Sequence, residues 1–162
     1  MTHGPDEWER RLATLWTTID DHAPPEFVAR IDALAVELPQ GSAVAMFERG
    51  AARDSTGRPA EAVTLYRDAL AAGLSGLRRR RAVIQLASSL RNLGDAPQAI
   101  ALLTAELAAA SDELDGAVHA FLALALADAG REREALSISL LALSRYLPRY
   151  NRSLERYARK LV

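Results

Sequence analysis

The chain has 162 residues, 49% of them hydrophobic and 25% charged, a composition that fits one folded domain and excludes a disordered chain. Its formal net charge is -1, so no overall positive field draws in nucleic acid. Cysteine is absent, which excludes disulfides, thiolate metal sites and a cysteine nucleophile, and suits a cytoplasmic location.

No targeting or membrane segment is predicted. The N-terminus is polar and has no basic stretch ahead of an apolar one, so it does not read as a secretory signal. The most apolar stretch, residues 121–129, is far shorter than the roughly 20 residues that a membrane span needs. Alanine and leucine dominate, which favours helices, and Lys160 is the only lysine, which suggests a GC-rich bacterial genome.

Two amphipathic stripes open the chain and predict helices over residues 6–21 and 26–38. Apolar residues at helical spacing form the first stripe: Trp8, Leu12, Leu15, Trp16 and Ile19. A second set follows the break at 20–25: Phe27, Ile31, Leu34, Ala35 and Leu38. Residues 1–41 are therefore predicted to form a helix pair, either a cap or a degenerate repeat.

A repeated pattern follows this pair. Gly57, Gly94 and Gly130 are spaced 37 and 36 residues apart. Small residues recur five positions after each glycine (Ala62, Ala99, Ala135) and seven before it (Gly50, Ala87, Ala123). Small side chains let two helices approach closely, and glycine adopts the left-handed conformation that ends a helix. The pattern predicts helices over 42–56, 59–72, 77–93, 95–109, 112–129, 131–146 and 149–161, with Ser42, Asp95 and Ser111 as N-caps.

The segment from Gly57 to Leu70 resembles the second half of a tetratricopeptide repeat, since a glycine, Glu-Ala, an aromatic residue and Ala-Leu follow in order. Segments 47–50, 54–57 and 78–94 are similar to a short bacterial single-domain family of such repeats. The resemblance implies an all-α fold, a right-handed superhelix of antiparallel helix pairs (an α-solenoid). Residues 42–148 would then be three repeats and residues 149–162 a capping helix that covers them with Tyr150, Leu154, Tyr157 and Leu161.

The same resemblance implies a binding role. In tetratricopeptide arrays the first helix of each pair lines a concave groove, and the matching positions give the candidate contact residues Phe47, Asp54, Arg81, Ile84, Ser88, Arg91, Asn92 and Leu124. The carboxylate clamp of the chaperone-binding members is absent. The implied function is a non-enzymatic protein–protein interaction module that binds a peptide or partner helix of unknown identity. The alternative is a self-associating homodimer without a separate ligand.

Candidates for catalysis are few. No metal-binding HExxH spacing, Gly-rich phosphate loop or GxSxG motif occurs, and the histidines are His3, His22 and His119. His119 occupies the place of the repeat's large aromatic residue and is predicted to be a core or half-buried filler. Residues 54–57 are interpreted as a turn that ends a helix. We therefore predict no enzymatic activity, no metal and no cofactor.

The run Arg78–Arg81 is the conspicuous charge cluster. Successive helical residues point in different directions, so the four side chains cannot form one patch. The favoured interpretation is that most of the four are solvated or paired with Glu48, Asp54 or other carboxylates, and Arg81 and Arg91 of the groove could pair with Glu48 and Asp54. Nucleic-acid binding through the run ranks lowest, since the run has no interleaved aromatic residues, we expect no second basic cluster and the net charge is not basic.

Overall fold

The computed structural model describes residues 5–109 and 111–162, which form nine α-helices and two short 3-10 helices and contain no strand. The α-helices are α1 (Pro5–Thr17), α2 (Pro24–Ala35), α3 (Ala43–Ser55), α4 (Pro59–Ala71), α5 (Gly76–Asn92), α6 (Ala96–Ala109), α7 (Asp115–Asp128), α8 (Glu132–Ser144) and α9 (Asn151–Ala158). The 3-10 helices are Ile19–Asp21 and Arg159–Leu161. The all-α prediction is confirmed. His3 and part of the turn at 109–112 lie outside the described residues.

The helix boundaries lie within two residues of the predicted ones except at four places. The first, second and last helices end at Thr17, Ala35 and Ala158, where the sequence predicts ends at 21, 38 and 161, and α7 starts three residues later than predicted because Ser111 is not its N-cap. The Asp112 carboxylate accepts a hydrogen bond from the backbone N–H of Leu114 at 2.7 Å. The Asp115 carboxylate accepts from the Ser111 hydroxyl at 2.6 Å and from the Asp112 N–H at 3.2 Å. These side-chain hydrogen bonds stabilise a turn over residues 111–115 in place of a first helical turn, so α7 begins at Asp115. Ser42 and Asp95 do cap α3 and α6, at 3.3 and 3.1 Å.

The chain divides into two compact units, the first ending at Ala82 and the second running from Val83 to Val162. In unit 1 both N-terminal stripes contribute to one core, whose buried residues are Trp8, Leu12, Phe27, Val28, Ile31 and Ala52. In unit 2 the buried core residues come from α5 to α8: Ile84, Ala87, Ala99, Leu103, Val118, Leu122, Ala123, Ala125, Leu126 and Ala135. The division into residues 1–41, 42–148 and 149–162 stays a prediction.

The repeated glycines and small residues have the conformations that the sequence predicts. Gly57, Gly94 and Gly130 have φ values of +79°, +89° and +72° and lie between the paired helices. Ala62 and Ala99 are fully buried. These three turns therefore require glycine, because other L-residues rarely adopt a positive φ.

Gly50 is the tightest of the small positions. A Cβ atom placed there would stand 3.0 Å from the Cδ1 and Cε1 atoms of the fully buried Tyr66 ring. A Cβ at Gly116 would also meet an atom at 3.0 Å, but that atom is the hydroxyl at the far end of Tyr146, which is 73% exposed. The two glycines therefore differ in whether the neighbour can move.

We expect Gly50→Ala to destabilise the protein by about 1–2 kcal/mol, since overpacking outweighs the gain in helix propensity. Gly116→Ala should be neutral or stabilising by up to about 1 kcal/mol, because the Tyr146 side chain can swing away. Urea unfolding of the two variants checks this. Equal effects would show that the Tyr66 ring is not held in place.

An ion-pair network joins α2 to α3 in unit 1. The Asp32 carboxylate accepts hydrogen bonds from Arg49 Nε at 2.9 Å and from Arg53 Nη1 and Nη2 at 3.0 and 2.9 Å. Partial burial raises the pKa of Asp32, but the hydrogen bonds from Arg53 and Arg49 outweigh it and lower that pKa below its ordinary value of 3.8. The folded protein therefore holds the ionised form more tightly than the unfolded chain does.

The stability from Asp32 is consequently present above a pH of about 4 and is lost as the pH falls through the lowered pKa. We expect Asp32→Asn to reduce the free energy of unfolding at neutral pH, and this difference from wild type should shrink in acid. Urea unfolding of both proteins over a pH series measures it. A difference that stays constant down to a pH of about 2 would contradict the assignment.

The last helix packs on α8 with a narrower apolar face than the sequence predicts. Ala158 is fully buried, whereas Tyr150 and Tyr157 are 78% and 58% exposed, so the predicted tyrosine contacts of the cap are wrong. Tyr150 has φ +70° and precedes the helix. The Ser137 hydroxyl donates to the Ala158 carbonyl at 2.9 Å, which brings the two helices close and leaves room for alanine only.

Candidate functional site

Three of the predicted contact residues lie in unit 1, and one of them belongs to its core. Phe47 is fully buried, with the Tyr66 ring centroid 6.1 Å away and the Arg81 guanidinium 5.2 Å from its ring centroid. Arg81 thus covers the ring through a cation–π contact. We leave Phe47 out of the proposed contact surface, because no part of its side chain is open to a ligand.

Asp54 is engaged by the same cluster. The Tyr66 hydroxyl donates to Asp54 Oδ2 at 3.4 Å. Burial and the neighbouring Asp54 carboxylate raise the pKa of Tyr66 far above its ordinary value of 10.0, so the hydroxyl stays protonated and remains a donor. Residues 54–57 form the turn that the sequence predicts, since α3 ends at Ser55. The Thr56 hydroxyl donates to the Ala52 carbonyl at 2.7 Å and supports that turn.

Arginines of the run Arg78–Arg81 make contacts within unit 1. Arg78 donates to the buried Glu48 carboxylate at 2.9 Å and to Glu9 at 2.9 and 2.6 Å. The Trp16 indole N–H also donates to Glu48, at 3.0 Å. Arg80 is 2% exposed. The predicted pairing of the run with Glu48 is confirmed for Arg78. Arg78 and Arg81 also line an open cleft of about 450 Å³ between the start of α3 and the start of α5.

In unit 2 the predicted contact residues separate into core and surface. Ile84 is 5% exposed and packs in the core of this unit. We therefore leave Ile84 out of the contact surface as well. Leu124 is 46% exposed on α7. Ser88 is half buried and Asn92 is exposed near the end of α5.

Arg91 is held by an acidic residue from another repeat. Its Nη1 donates to Asp128 Oδ2 at 2.9 Å, and its Nη2 donates to the Asn92 side-chain oxygen at 3.2 Å. The suggested pairing of Arg91 with Glu48 or Asp54 is replaced by this bond to Asp128. Asp128 precedes Gly130 by two residues, as Asn92 precedes Gly94, so the repeat register could have identified it.

The bond between Arg91 and Asp128 joins the end of α5 to the end of α7 and defines one surface within unit 2. We call it the α5–α7 surface. Its members are Ser88, Arg91 and Asn92 of α5 with Ala120, Leu124, Ala127 and Asp128 of α7. It combines an apolar stripe with one cation, one carboxylate and an amide.

The histidines that the structure describes have local partners. His119 is half buried, as expected, with Nδ1 2.6 Å from the Asp115 carbonyl oxygen. His22 stacks on Phe27 with ring centroids 6.4 Å apart, and its Nδ1 lies 3.5 Å from the Glu26 carboxylate. Among residues 5–109 and 111–162, no group of three or more His, Asp or Glu side chains is arranged to hold a metal ion. Over the same ranges, no helix has both the length and the apolar character needed to cross a membrane.

Comparison with known proteins identifies a repeat family. A family model described as tetratrico peptide repeat matches residues 43–161. This range is close to the span of the resemblance in the sequence and includes both helices of the α5–α7 surface. No curated protein and no solved structure matches the chain significantly.

Proposed function

The chain belongs to the tetratricopeptide repeat family, whose members generally mediate protein–protein interactions, and from this premise we propose that it is a non-enzymatic interaction module. The proposed contact site is the α5–α7 surface, which binds a segment of another protein. Of the eight predicted contact residues, it retains Ser88, Arg91, Asn92 and Leu124.

The position of Leu124 is the observation that carries this proposal, since the residue is 46% exposed one helical turn before Asp128, which bonds Arg91. A single exposed leucine is common on protein surfaces, so the exposed residues around it matter. Ala120 and Ala127 lie one turn before and after it and are also exposed. Their side chains are small, so the Leu124 side chain projects beyond its neighbours on this face of α7. A partner that covers Leu124 would gain about 1 kcal/mol or more from that contact alone.

The polar side of the surface sets the character of the partner. The Arg91 guanidinium donates one N–H to Asp128 and another to Asn92, and a guanidinium has five N–H donors in all. A carboxylate of the partner can take further N–H groups of Arg91 or replace Asp128. The fitting ligand is therefore an extended or helical segment with an apolar anchor residue flanked by acidic ones.

Leu124→Glu is expected to abolish partner binding without unfolding the protein. The change removes the apolar anchor contact and sets a carboxylate against acidic ligand residues. Affinity capture from a lysate of the source organism, quantified by mass spectrometry, measures it. At least one protein captured by wild type should be recovered about tenfold less with Leu124→Glu, since losing about 1.4 kcal/mol has that effect.

Leu136→Glu is the matched control, because Leu136 on α8 is 49% exposed. A partner lost equally from both variants would argue against the α5–α7 surface.

Leu136 also tests the second candidate function, self-association. Leu143 lies two helical turns further along α8 and is 50% exposed, which supports a contact between two copies. If self-association is the function, light scattering should show a wild-type dimer that Leu136→Glu converts to a monomer.

A further inference from the structure

We propose that the segment from Arg145 to Lys160 binds single-stranded nucleic acid on a surface of exposed arginines and tyrosines. This activity lies beyond the proposed protein binding and uses different residues. The segment holds five arginines and one lysine but only one acidic residue, Glu155. Its formal charge is thus +5, in a chain whose net charge is -1.

Apart from Arg145, whose Nη1 lies 3.8 Å from the Asp115 carboxylate, the cations of this segment lack the ion pairs that other arginines of the protein make. Arg30, Arg58 and Arg131 each bond a glutamate three or four residues away, at 2.7 to 3.0 Å. In the described chain, by contrast, Arg149, Arg152, Arg159 and Lys160 are exposed and form no ion pair.

In the described chain Glu155 forms no ion pair with these cations, and its carboxylate accepts the Ser144 hydroxyl at 3.3 Å on the side of α9 that faces α8. A cation in the last turn of a helix complements the helix dipole, but Arg149 and Arg152 lie before and in the first turn of α9, where the dipole opposes a cation. Helix stability therefore does not account for the whole charge, whereas a polyanion would.

The arginines lie along one side of the terminal helix. Arg152, Arg156 and Arg159 are separated by four and three residues, the spacing that aligns side chains on one helix face. Ala158 lies on the opposite side, where it is buried against α8. Neighbouring positions on such a face are about 5–6 Å apart at Cβ. The row can therefore bind successive phosphates of one strand.

Three of the four tyrosines in the chain belong to this segment, and none of them packs in the core. Tyr146, Tyr150 and Tyr157 are 73%, 78% and 58% exposed. The Arg156 guanidinium lies 5.1 Å from the centroid of the Tyr157 ring, so a cation and a ring are already held together. Nucleic-acid bases stack on both groups, and stacking tolerates any sequence. The expectation that the chain has no second basic cluster is therefore wrong, because residues 145–160 form one and contain the interleaved aromatic residues that the run at 78–81 lacks.

The groups on this surface favour a nucleic acid over an acidic polypeptide. A protein partner gains most from aliphatic or aromatic anchors that enter pockets. Leu154 of α9 and Leu161 of the 3-10 helix that follows it are partly buried, and Ala158 is buried against α8. The row of arginines therefore offers charges and flat rings. A single strand is the fitting form, since bases in a duplex are stacked on each other and cannot reach the tyrosines.

The test measures the fluorescence anisotropy of a labelled oligouridylate as the protein is added. The oligonucleotide has about 20 nucleotides, which exceeds the roughly 4–16 nucleotides of common single-strand sites. We expect wild type to bind with a Kd of about 1–100 µM and a slope of log K against log salt near about -2, from three phosphate contacts. Arg152→Gln with Arg156→Gln and Arg159→Gln should lower the affinity at least about tenfold and bring the slope near zero.

Three further variants test the contributions of the net charge and of the tyrosine rings to the affinity. Arg30→Gln with Arg58→Gln and Arg131→Gln changes the net charge equally and should keep the wild-type affinity. Tyr150→Ala with Tyr157→Ala should lower the affinity about tenfold, whereas the corresponding phenylalanine pair should retain it, because stacking needs the ring and not the hydroxyl.

Several outcomes would overturn the proposal. They are no RNA binding at low salt, equal loss in the two arginine triples, and no difference between the alanine and phenylalanine pairs. Binding of polyglutamate as tightly as RNA, unaffected by the tyrosine changes, would assign the surface to an acidic protein instead. Circular dichroism melting curves verify that every variant is folded, and we expect no shift because the altered side chains are exposed.

Discussion

Removal of residues 151–162 is expected to destabilise the protein by about 3–5 kcal/mol, a large part of the 5–15 kcal/mol that holds a typical domain together. The deletion uncovers the face of α8 that Leu154, Ala158 and Leu161 pack against, and partial burial of two leucines contributes about 2–3 kcal/mol. It also removes the hydrogen bonds from Ser137 to Ala158 and from Arg133 to Leu161, both at 2.9 Å. Urea unfolding of the truncated chain measures the loss.

A pair of point variants separates loss of packing from loss of chain length. Ala158→Arg forces a charge into a fully buried position and should detach the helix, with a destabilisation similar to that of the deletion. Ser153→Arg places the same residue at an exposed position of α9 and should cost less than about 0.5 kcal/mol. Equal unfolding midpoints for the two variants would mean that the last helix is not a cap.

Arg78→Met is expected to destabilise the protein by about 2–3 kcal/mol, although arginine is usually a surface residue. The substitution removes the guanidinium that neutralises Glu48, whose side chain is 3% exposed. A buried carboxylate without its cation is costly, and the cost is moderated here because the Trp16 N–H still donates to it and Arg78 itself is 26% exposed. Chemical unfolding at neutral pH gives the measurement.

The double variant Arg78→Met with Glu48→Met distinguishes a charge effect from a packing effect. Replacing both partners by apolar groups should restore most of the lost stability, since the uncompensated charge disappears. Arg10→Met, at an exposed position of α1, serves as a surface control. If Arg78→Met costs no more than Arg10→Met, the arginine run is a solvated cluster and Glu48 has another source of compensation.

The amino-acid sequence by itself determined the class of fold and the positions of its turns. Glycines at 57, 94 and 130 have the positive φ values that only glycine adopts readily, so their spacing revealed the repeat directly. Small residues at 50, 62 and 99 mark close helix contacts for a similar reason, because a larger side chain would not fit. The amphipathic stripes located the helices, since a 3.6-residue period depends only on local geometry.

Only the tertiary structure decided which residues of each stripe are open to a partner. Phe47 and Leu124 belong to the same predicted face of their first helices, ten and six residues before Gly57 and Gly130, yet Phe47 is fully buried and Leu124 is 46% exposed. Periodicity shows that residues share a helix face, but it does not show whether another element covers that face. In unit 1 the Arg81 side chain and the Tyr66 ring cover Phe47.

The partners of the charged groups were likewise decided by the tertiary structure. Arg91 bonds Asp128 and Arg78 bonds Glu9, at sequence separations of 37 and 69 residues. A long guanidinium side chain can reach carboxylates on several neighbouring helices, and local sequence does not rank them. The tertiary structure also decided the contacts at the C-terminus, where the sequence predicts a cap lined by tyrosines. There Ala158 is the residue buried against α8, where the Ser137 hydroxyl donates to its carbonyl, and Tyr157 is 58% exposed because successive helical residues point about 100° apart.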